Sequence, residues 1–149
     1  MPIELKKIDA SELIPIRHLV LRDGRPIETC IFEGDTLSST IHFGLFFEHE
    51  LIGVASLYSS KNKKLSNADQ YQLRGMAILP KYQQKGFGRR LLEHCENQLK
   101  TQSNRLLWFH AREKAVPFYK KLGYTILGDF FIIESIGPHV VMYKNLSSE

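Results

Sequence analysis

Apolar side chains recur along this chain with two different periods, and the switches between them outline its elements. From Ile3 to Ile8, Ile3 and Leu5 alternate with polar neighbours, the period of a half-buried strand. Leu13, Ile16, Leu19 and Val20 follow at helical spacing. The helix they predict opens on Asp9, with Glu12 three residues on as in a capping box, and ends near Arg22 before Asp23-Gly24. Pro15 has no N–H to donate and is expected close to the first turn. Arg25 to Thr40 is polar and irregular, longer than an ordinary connection, and loops of that length are often functional. Ile41 to Phe47 and Leu51 to Tyr58 are two apolar runs about a His49-Glu50 turn, which predicts an antiparallel hairpin.

Ser59 to Ala68 reads as a polar loop and Tyr71 to Leu79 as a strand ending at Pro80. A helix from about Gly86 to Lys100 carries the stripe Leu91, Leu92, Cys95, Leu99. Arg105 to His110 is a strand, Glu113 to Leu122 a short helix with Gly123 as its expected C-cap, and Thr125 to Glu134 and His139 to Tyr143 are the last strands. The order of elements predicts an α/β fold with a mixed, mostly antiparallel central sheet flanked by helices. Residues 1–149 read as a single domain without repeats or linkers.

Composition narrows the class. The chain has 149 residues, 43% of them hydrophobic, and a chain of this length buries roughly 68–70% of its unfolded surface without staples. Cys30 and Cys95 are far apart and show no ligand spacing, so no disulfide framework or metal site is expected and a reduced cytoplasmic setting is the default. The charged start (Glu4, Lys6, Lys7, Asp9) does not read as a secretory signal, and no run approaches the roughly 18 apolar residues of a membrane span. Twenty Lys+Arg against 16 Asp+Glu leave +4, a modest surplus that suits a polyanionic small molecule as well as nucleic acid.

Candidate chemistry concentrates between Ala77 and Leu92. An apolar strand feeds a turn in which Gly86 and Gly88 allow close backbone approach, and a helix starts at once. Unpaired N–H groups and the dipole at a helix start suit a phosphate or pyrophosphate, and Lys85, Arg89 and Arg90 add charge. A P-loop would need Gly-Lys-Ser/Thr where this chain has Gly88-Arg89-Arg90, and a dinucleotide fingerprint would need a small residue at Leu91. Both are excluded. The pattern present is Gln/Arg-x-x-Gly-x-Gly/Ala, occupied by Gln83, Gly86 and Gly88 after Leu79-Pro80.

That pattern resembles the acetyl-CoA-binding motif of the GNAT N-acetyltransferase superfamily. Ala115 to Tyr124 resembles the family's second signature, a short helix followed by Gly-Tyr/Phe, so two motifs stand in the family's order. The resemblance covers Arg74 to Tyr124 in motifs and nearly the whole chain in element order. It implies acetyl-CoA as acetyl donor and no metal, with Met76, Ala77 and Ile78 offering main-chain groups to the pantetheine arm. It also implies that backbone N–H groups of Gln84, Lys85, Gly86, Phe87, Gly88 and Arg89 hold the pyrophosphate, and that Tyr119 is the general acid near the thioester sulfur. Arg112 stands where many members carry a cofactor-binding Asn, and it is kept as a cofactor candidate. Glu134 to Met142 resembles a subgroup of bacterial, mostly uncharacterised members.

The implied activity is acetyl transfer to a primary amine, on a small molecule or a peptide, by direct attack in a ternary complex. The alternative is a noncatalytic CoA-binding or small-molecule-binding module of the same fold, for which the Arg112 departure is the motive. With the basic surplus assigned to a cofactor, neither nucleic acid nor membrane is an expected partner, while a homodimer stays open. His139, Glu134 and Glu28 read more simply as structural or surface groups than as catalysts. The other histidines show no metal spacing.

Overall fold

A computed structural model describes residues 2–100 and 105–146. The chain divides into two compact units, Met1–Ser59 with Leu73–Leu99 and Ser60–Gln72 with Lys100–Glu149. Its strands run in the order β1-β2-β3-β4-β5-β7-β6, a seven-stranded mixed sheet.

The first unit contains β1 (Ile3–Lys7), α1 (Ala10–Leu21), β2 (Ile41–Phe47), β3 (Glu50–Ser59), the second part of β4 (Asp69–Ile78) and α2 (Phe87–Leu99). β1 pairs antiparallel with β2 from Ile3↔Phe47 to Lys7↔Phe43, and β2 with β3 from Ile41↔Leu57 to Phe47↔Glu50. The hairpin turns on two residues, Glu48 and His49, with φ of 49° and 71°, the left-handed pair that matches the twist of the flanking strands. Side chains alternate between the faces of the sheet. Phe43 and Ala55 point to the side of α2, where the Phe43 ring meets His94 edge-on at 4.9 Å. Val54 points to α1, where it packs with Leu13, Ile16 and Ala77.

α1 begins as expected: the Glu12 carboxylate accepts the Asp9 N–H at 2.9 Å. Pro15 is its sixth residue, just past the first turn. The inward stripe differs from the apolar one. Leu19 is 51% exposed, whereas Arg17 is fully buried. A helix face follows i, i+3, i+4, i+7, which here is Leu13, Ile16, Arg17 and Val20.

Arg17 is buried with its counter-charge. Its Nη1 donates to Asp35 Oδ2 (2.7 Å) and the Cys30 carbonyl (2.8 Å), and its Nη2 to Asp35 Oδ1, Ser56 Oγ and Tyr58 Oη (3.1–3.2 Å). Tyr58 donates to Asp35 Oδ1 at 2.5 Å, and the Phe32 N–H to Oδ2 at 2.8 Å. His42 Nε2 lies 2.8 Å from the Asp35 carbonyl, which can only accept, so in the neutral ring Nδ1 accepts from Ser56 at 2.6 Å. The loop expected to be irregular is thus tied by residue 35 to α1, β2 and β3. It also contains a 3-10 turn, Ile27–Cys30.

The second unit contains the first part of β4, β5 (Arg105–Arg112), α3 (Val116–Lys121), β6 (Thr125–Ile133) and β7 (Gly137–Leu146). β4 and β5 are parallel from Asp69↔Arg105 to Gln72↔Trp108, and β7 is antiparallel to both β5 and β6. Gln70, buried at the start of β4, closes the loop before it: Nε2 donates to the Leu65 and Asn67 carbonyls, and Oε1 accepts from the Asn62 N–H. The helix expected over Glu113 to Leu122 is divided, with a 3-10 turn at Glu113–Ala115 before α3. Pro117 in the first turn of α3 has no N–H to extend the helix backwards.

Removing Asp35 leaves a buried guanidinium without its counter-charge, so Asp35→Ala is expected to lower the free energy of unfolding by about 3–5 kcal/mol in urea titrations. Burial alone raises the Asp35 pKa, but hydrogen bonds from Arg17, Tyr58 and the Phe32 N–H, with the charge of Arg17, hold it below its ordinary 3.8. Its contribution to stability is therefore complete above that value and is lost as the pH falls through the lower, folded-state value. An acid titration of Asp35→Asn should lack that part of the pH dependence.

Candidate active site

β4 leaves the first unit's sheet through a short, heavily determined connection. The Leu79 N–H donates to the Ile52 carbonyl at 2.8 Å, and Pro80–Tyr82 form a 3-10 turn. Gln83 then folds back, its Nε2 donating to the Ile78 carbonyl at 2.9 Å. Gln84 and Gly86 take φ of 60° and 86°, and α2 starts at Phe87. The Arg90 N–H reaches back to the Gly86 carbonyl at 3.1 Å, so the N–H groups of Phe87, Gly88 and Arg89 precede any intrahelical acceptor.

The two glycines of this turn have different causes. Gly86 is required by its left-handed φ. Gly88 has an ordinary φ, and a Cβ on it would meet nothing within 4 Å. A glycine in a helix costs about 1 kcal/mol relative to alanine. Nothing inside the protein calls for it. The bare backbone there faces open space.

The side chains around the turn sort by burial. Phe87 is 8% exposed and packs against Phe47 (5.8 Å) and Tyr82 (6.2 Å), so its side chain is engaged within the protein. Lys85, Arg89 and Arg90 are exposed, and Arg89 pairs with Glu93 at 3.2 Å. On β4, Ala77 belongs to the α1 core, while Met76 and Ile78 are half-buried. A Cβ on Gly53 would stand 2.6 Å from Ile78 Cδ1, so the bare backbone of β3 makes room for Ile78. Just before these residues, within β4, Gly75 has φ of 66°. A Cβ there would stand 3.0 Å from the Phe32 ring and 3.3 Å from Arg17 Nε.

In the second unit Tyr119 lies on α3 with its ring against Phe109 (4.5 Å), Phe118 (5.2 Å) and Tyr124 (6.1 Å). Its hydroxyl has no hydrogen-bond partner among the described residues. Burial pushes its pKa above 10, and the positive charge of Arg112 acts against that rise. The end of α3 fixes the ring: Gly123, with φ of 96°, donates to the Lys120 carbonyl, and the Tyr124 N–H donates to the Tyr119 carbonyl, both at 3.1 Å. Arg112 precedes the 3-10 turn with its side chain exposed.

His139 is 5% exposed, and its Nδ1 donates to the Gly137 carbonyl of its own turn at 2.8 Å. Glu28 and Glu134 are exposed. Among the described residues no group of three or more His, Cys, Asp or Glu is placed to hold a metal ion, and no helix is long and apolar enough to cross a membrane. The first unit thus carries Met76 to Arg89, and the second Arg112 and Tyr119. Sequence reasoning did not identify the buried cluster of Arg17, Asp35 and Tyr58. Its one signal was an arginine on the apolar stripe of α1.

Comparison with known proteins places these features in a family. Residues 38–126 match the family described as acetyltransferase (GNAT) domain. The chain is 37% identical over 144 residues to an uncharacterized N-acetyltransferase of Bacillus subtilis, YitI, covering 97% of each chain. Among solved structures, the Escherichia coli ribosomal-protein-S18-alanine N-acetyltransferase has a TM-score of 0.78 at 20% identity, covering 98% of this chain and 95% of that one. Arabidopsis thaliana Naa50, solved with the bisubstrate analogue CoA-Ac-MVNAL, has a TM-score of 0.75 at 19% identity, covering 98% and 100%.

The Gln83 brace predicts a local effect. Gln83→Leu removes one hydrogen bond, worth about 1 kcal/mol. Amide hydrogen exchange from Gln84 to Gly88 is expected to accelerate several-fold, while that of the β2–β3 hairpin stays unchanged.

Proposed function

The chain belongs to the GNAT acetyltransferase family, and from that premise we propose that it transfers the acetyl group of acetyl-CoA to a primary amine by direct attack in a ternary complex. The single observation that carries the cofactor reading is the turn from Gln83 to Arg89. It combines free helix N–H groups, the left-handed Gly86, and a Gly88 that the protein's own packing does not require. Such a turn holds a pyrophosphate through backbone donors, with Lys85 and Arg89 adding charge. Upstream, Met76, Ala77 and Ile78 are the residues whose main-chain groups would engage the pantetheine arm. Naa50 was solved with a CoA-based analogue, which is consistent with this reading.

In the proposed reaction the amine nitrogen attacks the thioester carbonyl carbon, and the tetrahedral intermediate collapses with cleavage of the C–S bond. The nitrogen loses a proton and the sulfur gains one. Tyr119 is proposed as the donor to the sulfur. A thiol has a pKa near 8.5. The raised pKa of Tyr119 keeps its phenol protonated, so it donates a hydrogen bond to the developing thiolate. Its hydroxyl, without a protein partner among the described residues, is available for that bond. Arg112 is proposed as a secondary cofactor contact through its exposed guanidinium. The reading takes residues 1–149 as one acetyltransferase domain acting on a soluble amine, small molecule or peptide, in the cytoplasm.

Calorimetry with acetyl-CoA is expected to give saturable binding, and its absence at high micromolar concentration would overturn the assignment. Tyr119→Phe is expected to lower kcat ten-fold or more with CoA affinity within two-fold of the parent. Because burial raises the Tyr119 pKa, its deprotonation should add no alkaline fall in kcat between pH 7 and 9. An unchanged kcat in the variant would remove Tyr119 from the donor role.

A further inference from the structure

Three arginines of the first unit surround one aromatic ring. Arg17 Cζ stacks 3.8 Å from the Phe32 centroid, and the Arg74 and Arg22 guanidiniums lie 5.2 and 5.3 Å from it. Arg74 also lies 4.9 Å from the Tyr58 ring. The last two guanidiniums are therefore at most about 10.5 Å apart. The charges do not balance. Asp35 bonds Arg17, whereas Arg22 and Arg74 form no ion pair among the described residues; their side-chain hydrogen bonds go to the carbonyls of Leu21 and Glu33.

Both are half-buried, so solvent screens their mutual repulsion only in part. Stacking on a shared ring holds them there but supplies no negative charge. Beside the same ring lies Arg17 Nε, a fully buried donor with no acceptor. An anion would balance this charge, and the planar fork of arginine suits a carboxylate or phosphate.

Position says which anion. Arg74 is two residues before Met76, within about 7 Å along the backbone. It lies at the opposite end of Leu73–Ile78 from the pyrophosphate turn. The cluster is thus beside the strand proposed to hold the pantetheine arm and away from the cofactor's phosphates. We propose that Arg22 and Arg74, mounted on Phe32, form an anion subsite for the acceptor, so that the preferred substrate is an amine that also carries a carboxylate or phosphate. Cationic polyamines and aminoglycosides would be repelled. The inference rests on the acetyl-transfer reading for the word acceptor; the anion site itself does not depend on turnover.

Two measurements separate these parts. In NMR of the CoA-saturated protein, the arginine Nε–H signals of Arg22 and Arg74 are followed during titration with N-acetylglycine or, separately, N-acetylglycinamide. Saturable shifts are expected with the carboxylate and weak ones with the amide, and in Arg22→Gln or Arg74→Gln the shift of the remaining arginine should fall several-fold. Equal shifts with both probes, or none with either, would overturn the subsite.

Initial rates are then compared for matched acceptors: glycine with glycinamide, and phosphoethanolamine with ethanolamine. Support is a kcat/KM at least ten-fold higher for one anionic member, which also identifies the anion, with Arg74→Gln or Arg22→Gln erasing that preference at unchanged CoA affinity. Preference for the neutral member in both pairs, or for spermidine over all four, would overturn it. So would a parallel loss of CoA affinity in the variants, which would assign the arginines to the cofactor. Carboxylate binding without any acetyl transfer would refute the acetyl-transfer reading and leave the anion site standing.

Discussion

The buried pair of Arg17 and Asp35 is the constraint on which the first unit's geometry depends. Taking two charges out of water costs several kcal/mol per ion, and their attraction offsets this only when the remaining donors and acceptors are also satisfied. Here nearly all are. Five acceptor atoms take the terminal N–H groups of Arg17, and Asp35 receives a phenol and a backbone N–H besides the guanidinium. The partners come from three segments: Cys30 and Phe32 from the long loop, Ser56 and Tyr58 from β3, and His42 from β2 through Ser56. An apolar residue at position 17 could fill the same volume, yet it could not fix where the loop from Arg22 to Thr40 returns to the sheet.

That anchoring reaches β4 through Gly75. The left-handed turn of the backbone there fits against the Phe32 ring and Arg17 Nε with no room for a side chain. The strand therefore reaches Met76, Ala77 and Ile78 from a position set by a charge network on the same face as α1. At the far end Gln83 holds the Ile78 carbonyl, and the Leu79 N–H is held by Ile52. The segment proposed to contact pantetheine is thus bounded by close packing at Gly75 and held by hydrogen bonds at Ile78 and Leu79, and the intervening Ala77 is fixed by apolar contacts. Backbone recognition of a ligand requires this kind of rigidity, since main-chain groups have no rotamers with which to adjust.

What could be read from the sequence follows the range of the forces involved. The hairpin, the α2 stripe and the turn at Gln83 to Gly88 are local patterns, and each is present at the expected residues to within a few positions. The insertion of β7 between β5 and β6 is not local. It depends on pairings such as Arg105 with Leu146, separated by most of the second unit, and no alternation of side chains encodes a strand's neighbours. The inward face of α1 differs from its apolar stripe for another reason. Apolar residues alone place Leu19 on the stripe, whereas the spacing from Leu13 and Ile16 favours position 17, which holds the buried Arg17. The arginines around Phe32 were illegible because they join residues 17, 22, 32 and 74, whose proximity exists only in the folded chain.

Two tyrosines, Tyr58 buried and Tyr119 half-buried, show how environment separates residues of one type. Burial raises the pKa of both Tyr58 and Tyr119. Tyr58 donates its proton to Asp35, a bond that itself opposes ionisation, and it accepts from Arg17. Its hydroxyl is thus fully engaged within the protein. The Tyr119 ring packs against Phe109, Phe118 and Tyr124, which fix its plane, and its hydroxyl has no acceptor among the described residues. A half-buried phenol left without a protein partner costs stability unless something else accepts its proton. In the proposed reaction that acceptor arrives with the substrates, since the sulfur of a thioester becomes a strong acceptor only as the C–S bond breaks.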